Sequence, residues 1–323
     1  MADLITKIKK AKLLGRSGSL FPVHLKWLQV KNSSSKRKYV ICNASEGEPE
    51  VKKDYYILKK HLKEVVGGIK LAQKELKAET AYIYLNKKYY REFKKRLFSL
   101  TKNFPIELFE KPEGYLAGEE TVILNIIEGK RKEPREKPPF PTEKGLFGKP
   151  TLVNNVETFF QVYKISKGET LTRFYSIYGK APNKGVFELE NDLTIKQVLE
   201  KTSNYPEFYF LLQIGGGAAG EIITSKELNR PFNGLASIIV LEKDIDLKEL
   251  MRKWASFFQK ENCDKCAPCR EGAFRIKEIL EKKRLTKKDI KTLQDIFEAL
   301  EQTSLCPLGR MIPKPFKSVL RLL

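Results

Sequence analysis

Apolar residues recur at three- and four-residue spacings through 54–76, where Ile57, Leu58, Leu62, Val65, Val66 and Ile69 share one face, and this predicts a helix. Unbroken apolar runs lie on either side. "YVICNASEG" from Tyr39 reads as a strand entering a turn, and "TAYIYLN" from Thr80 as a second strand. A basic helix from about Lys88 to Thr101 and the short strand "IELFE" extend the series to β-α-β-α-β, which predicts a mostly parallel sheet with helices packed on it. Upstream, residues 1–36 read as a lysine-rich helix, a Gly/Ser loop and a polar tail. Downstream, "GYLAGEETVILNIIEGK" begins as a loop at Gly114 and turns helical near Glu119. "EPREKPPFPTEKGLFGKPT" is a long Pro/Gly loop of the kind that usually carries function. "LVNNVETFFQVYKIS" reads as a helix opened by two asparagines.

From about Arg173 the pattern changes. "RFYSIYGKAPNKGVFEL", "LTIKQVLE", "FYFLLQIGGGAAGEII" and "ASIIVLE" read as short strands around one short helix, a small β-rich α+β unit. From about Asp246 onward helical patterns dominate. The chain therefore divides into an α/β unit (1–170), a small α+β unit (171–245) and a helical bundle (246–323).

Composition narrows the classes. The 323 residues are 41% hydrophobic, enough for several packed cores. No stretch approaches the roughly 18 uncharged apolar residues of a membrane helix, and the cationic N-terminus lacks the apolar run of a secretory signal. The expected location is cytoplasmic, with any membrane association, at its inner face, made through partners. The net charge of +21 permits nucleic-acid binding. The lysines are spread along the chain, however, with no arginine-rich tail, and no nucleic-acid partner is expected.

Three of the five cysteines fall in "ENCDKCAPCREG", from Glu261 to Gly272. Cys263, Cys266 and Cys269 can bend one loop around a metal centre, and Cys306 in "SLCPLG" supplies a fourth thiol across a helical hairpin. Zinc competes, but structural zinc prefers two paired knuckles. Three thiols at two-residue gaps, with one distant cysteine followed by proline, suit a [4Fe–4S] cluster better. Neither His24 nor His61 lies near. Cys42, alone at a strand end, reads as a buried small hydrophobe.

Four further motifs lie in the first half. "GRSGSLFPVHLKW" (Gly15–Trp27) sets glycines, Arg16 and Lys26 before a helix, suited to a phosphate. "CNASEGEPE" (Cys42–Glu50) follows a strand end, and its acids suit hydroxyls or an amide. "GEET" (Gly118–Thr121) and "VNNVET" (Val153–Thr158) add acids and amides. Taken singly, each is a capped helix start. Four in one half, with the thiols in the other, are not explained by capping.

Together these motifs resemble the NADH-oxidising flavoprotein subunit of respiratory complex I and the related diaphorase subunits of NAD-linked hydrogenases and formate dehydrogenases. "GRSGSLFP", "CNASEGEP", "AGEETVILNIIEGKRKEPREKPPFP", "GLFGKPTLVNNVET", "CAPCREG" and "CPLG" run in the family's order from Gly15 to Gly309. The resemblance implies an α/β flavin domain, a β-grasp-like domain and a helical bundle carrying the cluster. It implies FMN, with NADH stacked upon it, hydride transfer, and electrons leaving through the [4Fe–4S] cluster to a thioredoxin-like [2Fe–2S] subunit of a larger redox complex. It assigns Gly15, Arg16, Gly18, Lys26, Asn43, Glu46, Gly118, Glu119, Asn154, Asn155 and Thr158 to FMN. Phe21, Glu48, Tyr115, Glu120 and Phe140 would meet NADH, and Cys263, Cys266, Cys269 and Cys306 would hold the cluster.

The departures gather in the flavin and nucleotide loops. Ser17 and Leu20 replace glycines of the family's G-R-G-G-A-G-F-P, and Ser45 and Glu50 replace the aspartate and last glycine of C-N-A-D-E-G-E-P-G. Tyr55 stands where arginine is usual. Two functional readings follow: an NADH-oxidising electron-entry flavoprotein, and a cluster-bearing relative that has lost FMN and serves as a wire or structural subunit.

Overall fold

The structure is a computed structural model and describes residues 3–242 and 244–322. In chain order its first half comprises α1 (Leu4–Lys10), α2 (Val23–Asn32), β1 (Tyr39–Ala44), α3 (Lys53–Lys60), α4 (Leu62–Leu76), β2 (Thr80–Leu85), α5 (Lys87–Thr101), β3 (Ile106–Glu110), α6 (Glu120–Ile127), α7 (Pro141–Lys144), β4 (Thr151–Asn155) and α8 (Val156–Ser166). The predicted strands lie within a residue of their places. Two readings need correction. The helix expected over 54–76 is two helices, broken at His61, whose backbone leaves the helical region while its ring packs 4.9 Å from that of Phe160. "TLVNN" is a strand rather than the start of a helix, and Asn155 is the N-cap of α8. All five residues of that strand are buried, so no alternation marked it.

The four strands form one parallel sheet in the order β3-β2-β1-β4. Parallel neighbours need crossover connections, which the intervening helices supply. Alternate residues of β1 serve opposite faces. Val40, Cys42 and Ala44 join the core beneath the helices that include α4, α5 and α8, and Tyr39 and Ile41 join a smaller core with Ile123 and Leu124 of α6. Cys42 is thus the buried hydrophobe expected. After β3 the chain returns to the far side of β1, so the strand order reverses between β1 and β4. The register pairs Asn43 with Asn155 at that point. A crevice at the carboxyl ends of such strands is where open parallel sheets bind ligands.

The chain continues through β5 (Thr172–Gly179), β6 (Gly185–Glu190), α9 (Ile195–Lys201), β7 (Leu212–Ile214), β8 (Glu221–Ile223) and β9 (Ser237–Val240). These five strands form a second sheet, ordered β6-β5-β9-β7-β8, in which β5 and β9 are parallel and the other pairs antiparallel. The helices α10 (Leu247–Glu261), α11 (Ala267–Glu281), α12 (Lys287–Thr303), α13 (Pro307–Met311) and α14 (Pro313–Leu320) follow. Their core holds Trp254, Phe258, Phe297 and Phe316, and it takes in Leu116 and Val122 from the first half, Ile222 and Ile239 from the second sheet, and Cys269 and Cys306. Among the described residues no helix is long and apolar enough to cross a membrane.

Candidate flavin, nucleotide and cluster sites

The glycine loop closes on itself before it meets anything else. Leu14 bridges Pro22, and the Gly15 N–H donates to the Phe21 carbonyl at 2.9 Å. The Arg16 N–H donates to Thr158 Oγ1 at 3.3 Å, which fixes the loop over the first turn of α8. Gly18 has φ +109 and open space around it. Phe21 is 40% and Phe140 51% exposed, so both rings keep a free face.

Beneath the loop lies a buried charge network. Lys53 Nζ donates to Asp54 (2.5 Å) and to Asn155 Oδ1 (3.0 Å) and stands 3.4 Å from Glu157, while Asn155 Nδ2 donates to Asp54 at 2.7 Å. Arg16 Nε lies 3.8 Å from Glu157, and the Arg16 guanidinium also donates to Asn191 and to the Thr172 carbonyl. Burying charges singly is costly, and reciprocal pairing is what makes this arrangement tolerable. Arg16 Nε remains without a hydrogen-bond partner. Glu46 belongs to this network too. Its carboxylate accepts from Asp54 N (3.0 Å), Tyr55 N (3.3 Å) and Tyr89 Oη (2.7 Å), capping α3. Burial, and then the charge of Asp54, push its pKa up to about 7.

Asn43 Nδ2 donates to the Gly118 carbonyl at 3.0 Å, which ties the end of β1 to the segment entering α6. Ser45 donates to Asn43 Oδ1, so its hydroxyl is engaged within the protein. With its amide oriented to satisfy both groups, Asn154 accepts from the Trp27 indole N–H at 3.1 Å. Lys26 pairs with Glu120 and donates to the Val153 carbonyl at 3.3 Å. Lys137 lies 3.0 Å from Glu119 and 3.6 Å from Glu120. Burial works to raise the Glu120 pKa, but Lys26 and Lys137 outweigh it and hold the carboxyl below its ordinary value. Glu119 also caps α6, accepting from Thr121 N and Val122 N.

Glu48 and Tyr115 meet directly, the phenol donating to the carboxylate. Glu48 also accepts from Ala218 N at 3.1 Å and presses on Gly216, where an added Cβ would lie 2.5 Å from its Oε2. Burial raises the Glu48 pKa against the pull of these bonds. Tyr115 faces the other way as well. Its N–H donates to Glu261 at 2.6 Å and its ring packs edge-on to Phe257, 5.2 Å away. Glu48 and Tyr115 are thereby joined to the helix that leads into Cys263.

Cys263 and Cys266 are half-buried in the turn before α11; Cys269 in its first turn and Cys306, the N-cap of α13, are each 6% exposed. The turn is held by Asp264 N donating to Asn262 Oδ1 (2.8 Å) and by Arg270 donating to the Asp264 carbonyl (3.0 Å). Lys265 donates to the Pro134 carbonyl at 3.0 Å, docking it on the Pro/Gly loop. Burial, and then the neighbouring thiols, push Cys269 up to about 12. The four thiols feel one another's charge, yet among the described residues no three His, Cys, Asp or Glu side chains converge closely enough for one metal ion. Three thiols at two-residue gaps joined by Cys306 suit an iron–sulfur cluster better than the paired knuckles of structural zinc.

Residues 8–164 match the family model of the Nuo51 FMN-binding domain, and 249–322 match the NADH-ubiquinone oxidoreductase-F iron-sulfur binding region. The corresponding NADH-quinone oxidoreductase subunit of Aquifex aeolicus is 32% identical, over 98% of this chain and 83% of its own length. This chain belongs to that family of NADH-quinone oxidoreductase subunits. Another relative, the NADP-reducing hydrogenase subunit HndC of Solidesulfovibrio fructosivorans, is 28% identical over 99% of this chain and 74% of its own. A solved structure of an NAD+-reducing [NiFe]-hydrogenase superposes with a TM-score of 0.91 at 27% identity, over 98% of this chain. The chain spans 61% of that hydrogenase chain's length.

Set against the family's motifs, the departures in the loops acquire a structural meaning. Leu20 and Glu50, which stand where those motifs carry glycine, have φ 50 and 58. Both keep the left-handed backbone that glycine adopts freely and other residues adopt at a cost. The charge set, the exposed rings and the unpartnered Arg16 Nε fit a flavin nucleotide. Sequence reasoning missed Lys53, Asp54, Glu157, Lys137 and the Gly216–Gly217 turn as parts of the site. Glu157 and Lys137 lie inside recognisable motifs, "VNNVET" and the Pro/Gly loop, and Lys53-Asp54 is the pair just before Tyr55 in the stretch that follows "CNASEGEP"; the Gly216–Gly217 turn gave no sign of its role.

Proposed function

We propose that the chain is the electron-entry subunit of a multisubunit redox complex: it oxidises NADH through FMN and passes electrons through a [4Fe–4S] cluster to a partner, a thioredoxin-like [2Fe–2S] subunit. The observation that carries this is the segment from Tyr115 to Glu120, which forms a shared wall. It binds Asn43 at the sheet, Glu48 and Lys26 at the nucleotide side, and Glu261 next to the cluster turn.

When bound, FMN accepts a hydride from the nicotinamide and releases electrons singly. The chain's own residues orient and exclude. Gly18 keeps its backbone open, Gly15 lets the loop turn back on Phe21, and Gly118 gives its carbonyl to Asn43 and leaves room for the Ser45 hydroxyl; Lys26, Asn43 and Asn154 would face the flavin at the carboxyl ends of β1 and β4, with Arg16 and Thr158 holding the loop from within. Glu46 and Asn155 serve from behind by fixing the ends of β1 and β4. Phe21 and Phe140 offer stacking faces. Glu120, kept ionised by Lys26 and Lys137, and Glu119 accept hydrogen bonds from hydroxyls, while the Glu48–Tyr115 pair meets the nicotinamide amide. No protein base is required. We read 1–170 as the flavin and nucleotide domain, 171–245 as a β-grasp-like domain and 246–323 as the cluster-holding bundle. The pairing of β5 with β9 as parallel central strands supports the second of these. Any place at a membrane comes through partners.

Anaerobically reconstituted protein should show the absorbance band of oxidised flavin, and NADH should bleach it. A protein that takes up iron but no FMN would refute the flavin reading and leave the wire.

A further inference from the structure

Ser304 is 1% exposed, and among the described residues its hydroxyl has no hydrogen-bond partner. Its backbone is fully used: the N–H donates to the Leu300 carbonyl at 3.2 Å and the carbonyl accepts from Arg310 Nε at 2.9 Å. A buried hydroxyl left alone costs about 1–3 kcal/mol, and interiors keep few of them. Hydroxyls on a helix commonly return to the carbonyl four residues back. Thr303 does so with Ala299 at 2.6 Å, and Thr292 with Lys288 at 2.9 Å. Ser304 does not. It caps the end of α12 with extended backbone, two residues before Cys306.

Its surroundings are those of the thiols. A Cβ built on Gly309 would lie 2.5 Å from Ser304 Oγ and 3.3 Å from Cys269 Cβ, so the hydroxyl and that cysteine flank one point in α13. The rest of the wall is apolar, with Leu300, Leu308 and Phe316 in one core with Cys269 and Cys306.

We propose that Ser304 Oγ–H donates a hydrogen bond to a sulfur of the cluster and makes the cluster easier to reduce. The inference rests on the four thiols holding a [4Fe–4S] cluster. Reduction brings one electron and one added negative charge into this pocket. Hydrogen bonds to cluster sulfurs favour the more negative state. The hydroxyl keeps its proton, and no bond forms or breaks. Ser304 is thus a tuning residue that acts on the electron acceptor.

The test uses the full chain reconstituted with iron and sulfide, as wild type, Ser304→Ala and Ser304→Thr. Iron content, an EPR-monitored redox titration and pulsed EPR of exchangeable protons at the reduced cluster are measured. Ser304→Ala should keep its iron, lower the equilibrium for cluster reduction about tenfold, which is about 59 mV for a one-electron couple, and lose one exchangeable-proton coupling. Ser304→Thr should retain both properties. Iron loss in Ser304→Ala alone would also place the hydroxyl at the cluster. An unchanged titration and unchanged coupling in Ser304→Ala overturn the proposal, as does iron loss in both variants, which would point to side-chain shape. A wild-type chain that takes up no iron overturns the cluster reading itself, and the proposal with it.

Discussion

The flavin side and the cluster side are buried by opposite means. Around Arg16, Lys53, Asp54, Asn155 and Glu157, charge is matched within the protein, and almost every polar atom has a partner from another element. Around Cys269 and Cys306 the wall is apolar, the thiols resist ionisation, and one hydroxyl has no partner among the described residues. The first site is assembled by its own residues. The second is completed by what it holds. The contrast predicts a cradle that stands without its ligand and a socket that depends on it.

That contrast can be broken first at Lys53. Lys53→Met strands Asp54 and Glu157 without their buried partner and should cost about 3–5 kcal/mol in chemical denaturation. A loss under about 1 kcal/mol, the level of an exposed pair, would mean the network is not what assembles the cradle. Iron removal by a chelator should act oppositely. Hydrogen exchange should quicken through 249–322, by the free energy that cluster binding had contributed to folding, while β1 and β2 stay protected. Uniform quickening would erase the distinction between cradle and socket.

The nucleotide residues sharpen it further. Glu120→Gln removes a charged acceptor held by Lys26 and Lys137, and should weaken NADH binding about ten- to a hundredfold, from about 1.5–3 kcal/mol for a hydrogen bond to an ionised group. FMN content should be unchanged, as equilibrium titration and flavin fluorescence would show. Glu46 gives a pH signature. Its folded pKa of about 7 lies above the ordinary 4.5. Between those values the folded state holds a proton that the unfolded state has lost, so this contribution to stability is full below about 4.5, falls as pH rises to about 7 and is level beyond. Glu46→Gln should flatten that stretch of the stability–pH curve. The smallest effect belongs to the glycine-like backbone positions. Leu20→Gly and Glu50→Gly should each relieve about 1 kcal/mol of left-handed strain, partly offset by the freer unfolded chain. A loss of thermal stability in both would show that their side chains matter more than their backbone.

Much of this was legible in the chain, and the failures have specific causes. The β-α-β-α-β alternation placed β1, β2 and β3 because each is bounded by turns and followed by a helix of clear period. Strand β4 escaped because it is buried on both faces, and an apolar run without alternation reads equally as helix. The break at His61 escaped because the pattern of apolar positions runs through it; packing against Phe160, far along the chain, decides it. Glu46 and Glu48 sit two residues apart in one motif and look equivalent. In the fold one caps α3 and takes a phenol from Tyr89, and the other reaches the Gly216 turn and Tyr115.

The sequence by itself determined the family, the three-thiol turn and the order of the loops, because those signals are local: residue types at short spacings on a single stretch of backbone. Only the tertiary structure decided how Glu46, Glu48, Glu119 and Glu120 are each partnered, that Leu20 and Glu50 hold left-handed backbone, and that Ser304 lies unpartnered among the described residues beside the thiols. Those facts depend on electrostatics and packing between segments far apart in the chain, and periodicity along one segment carries no record of what the other segment brings.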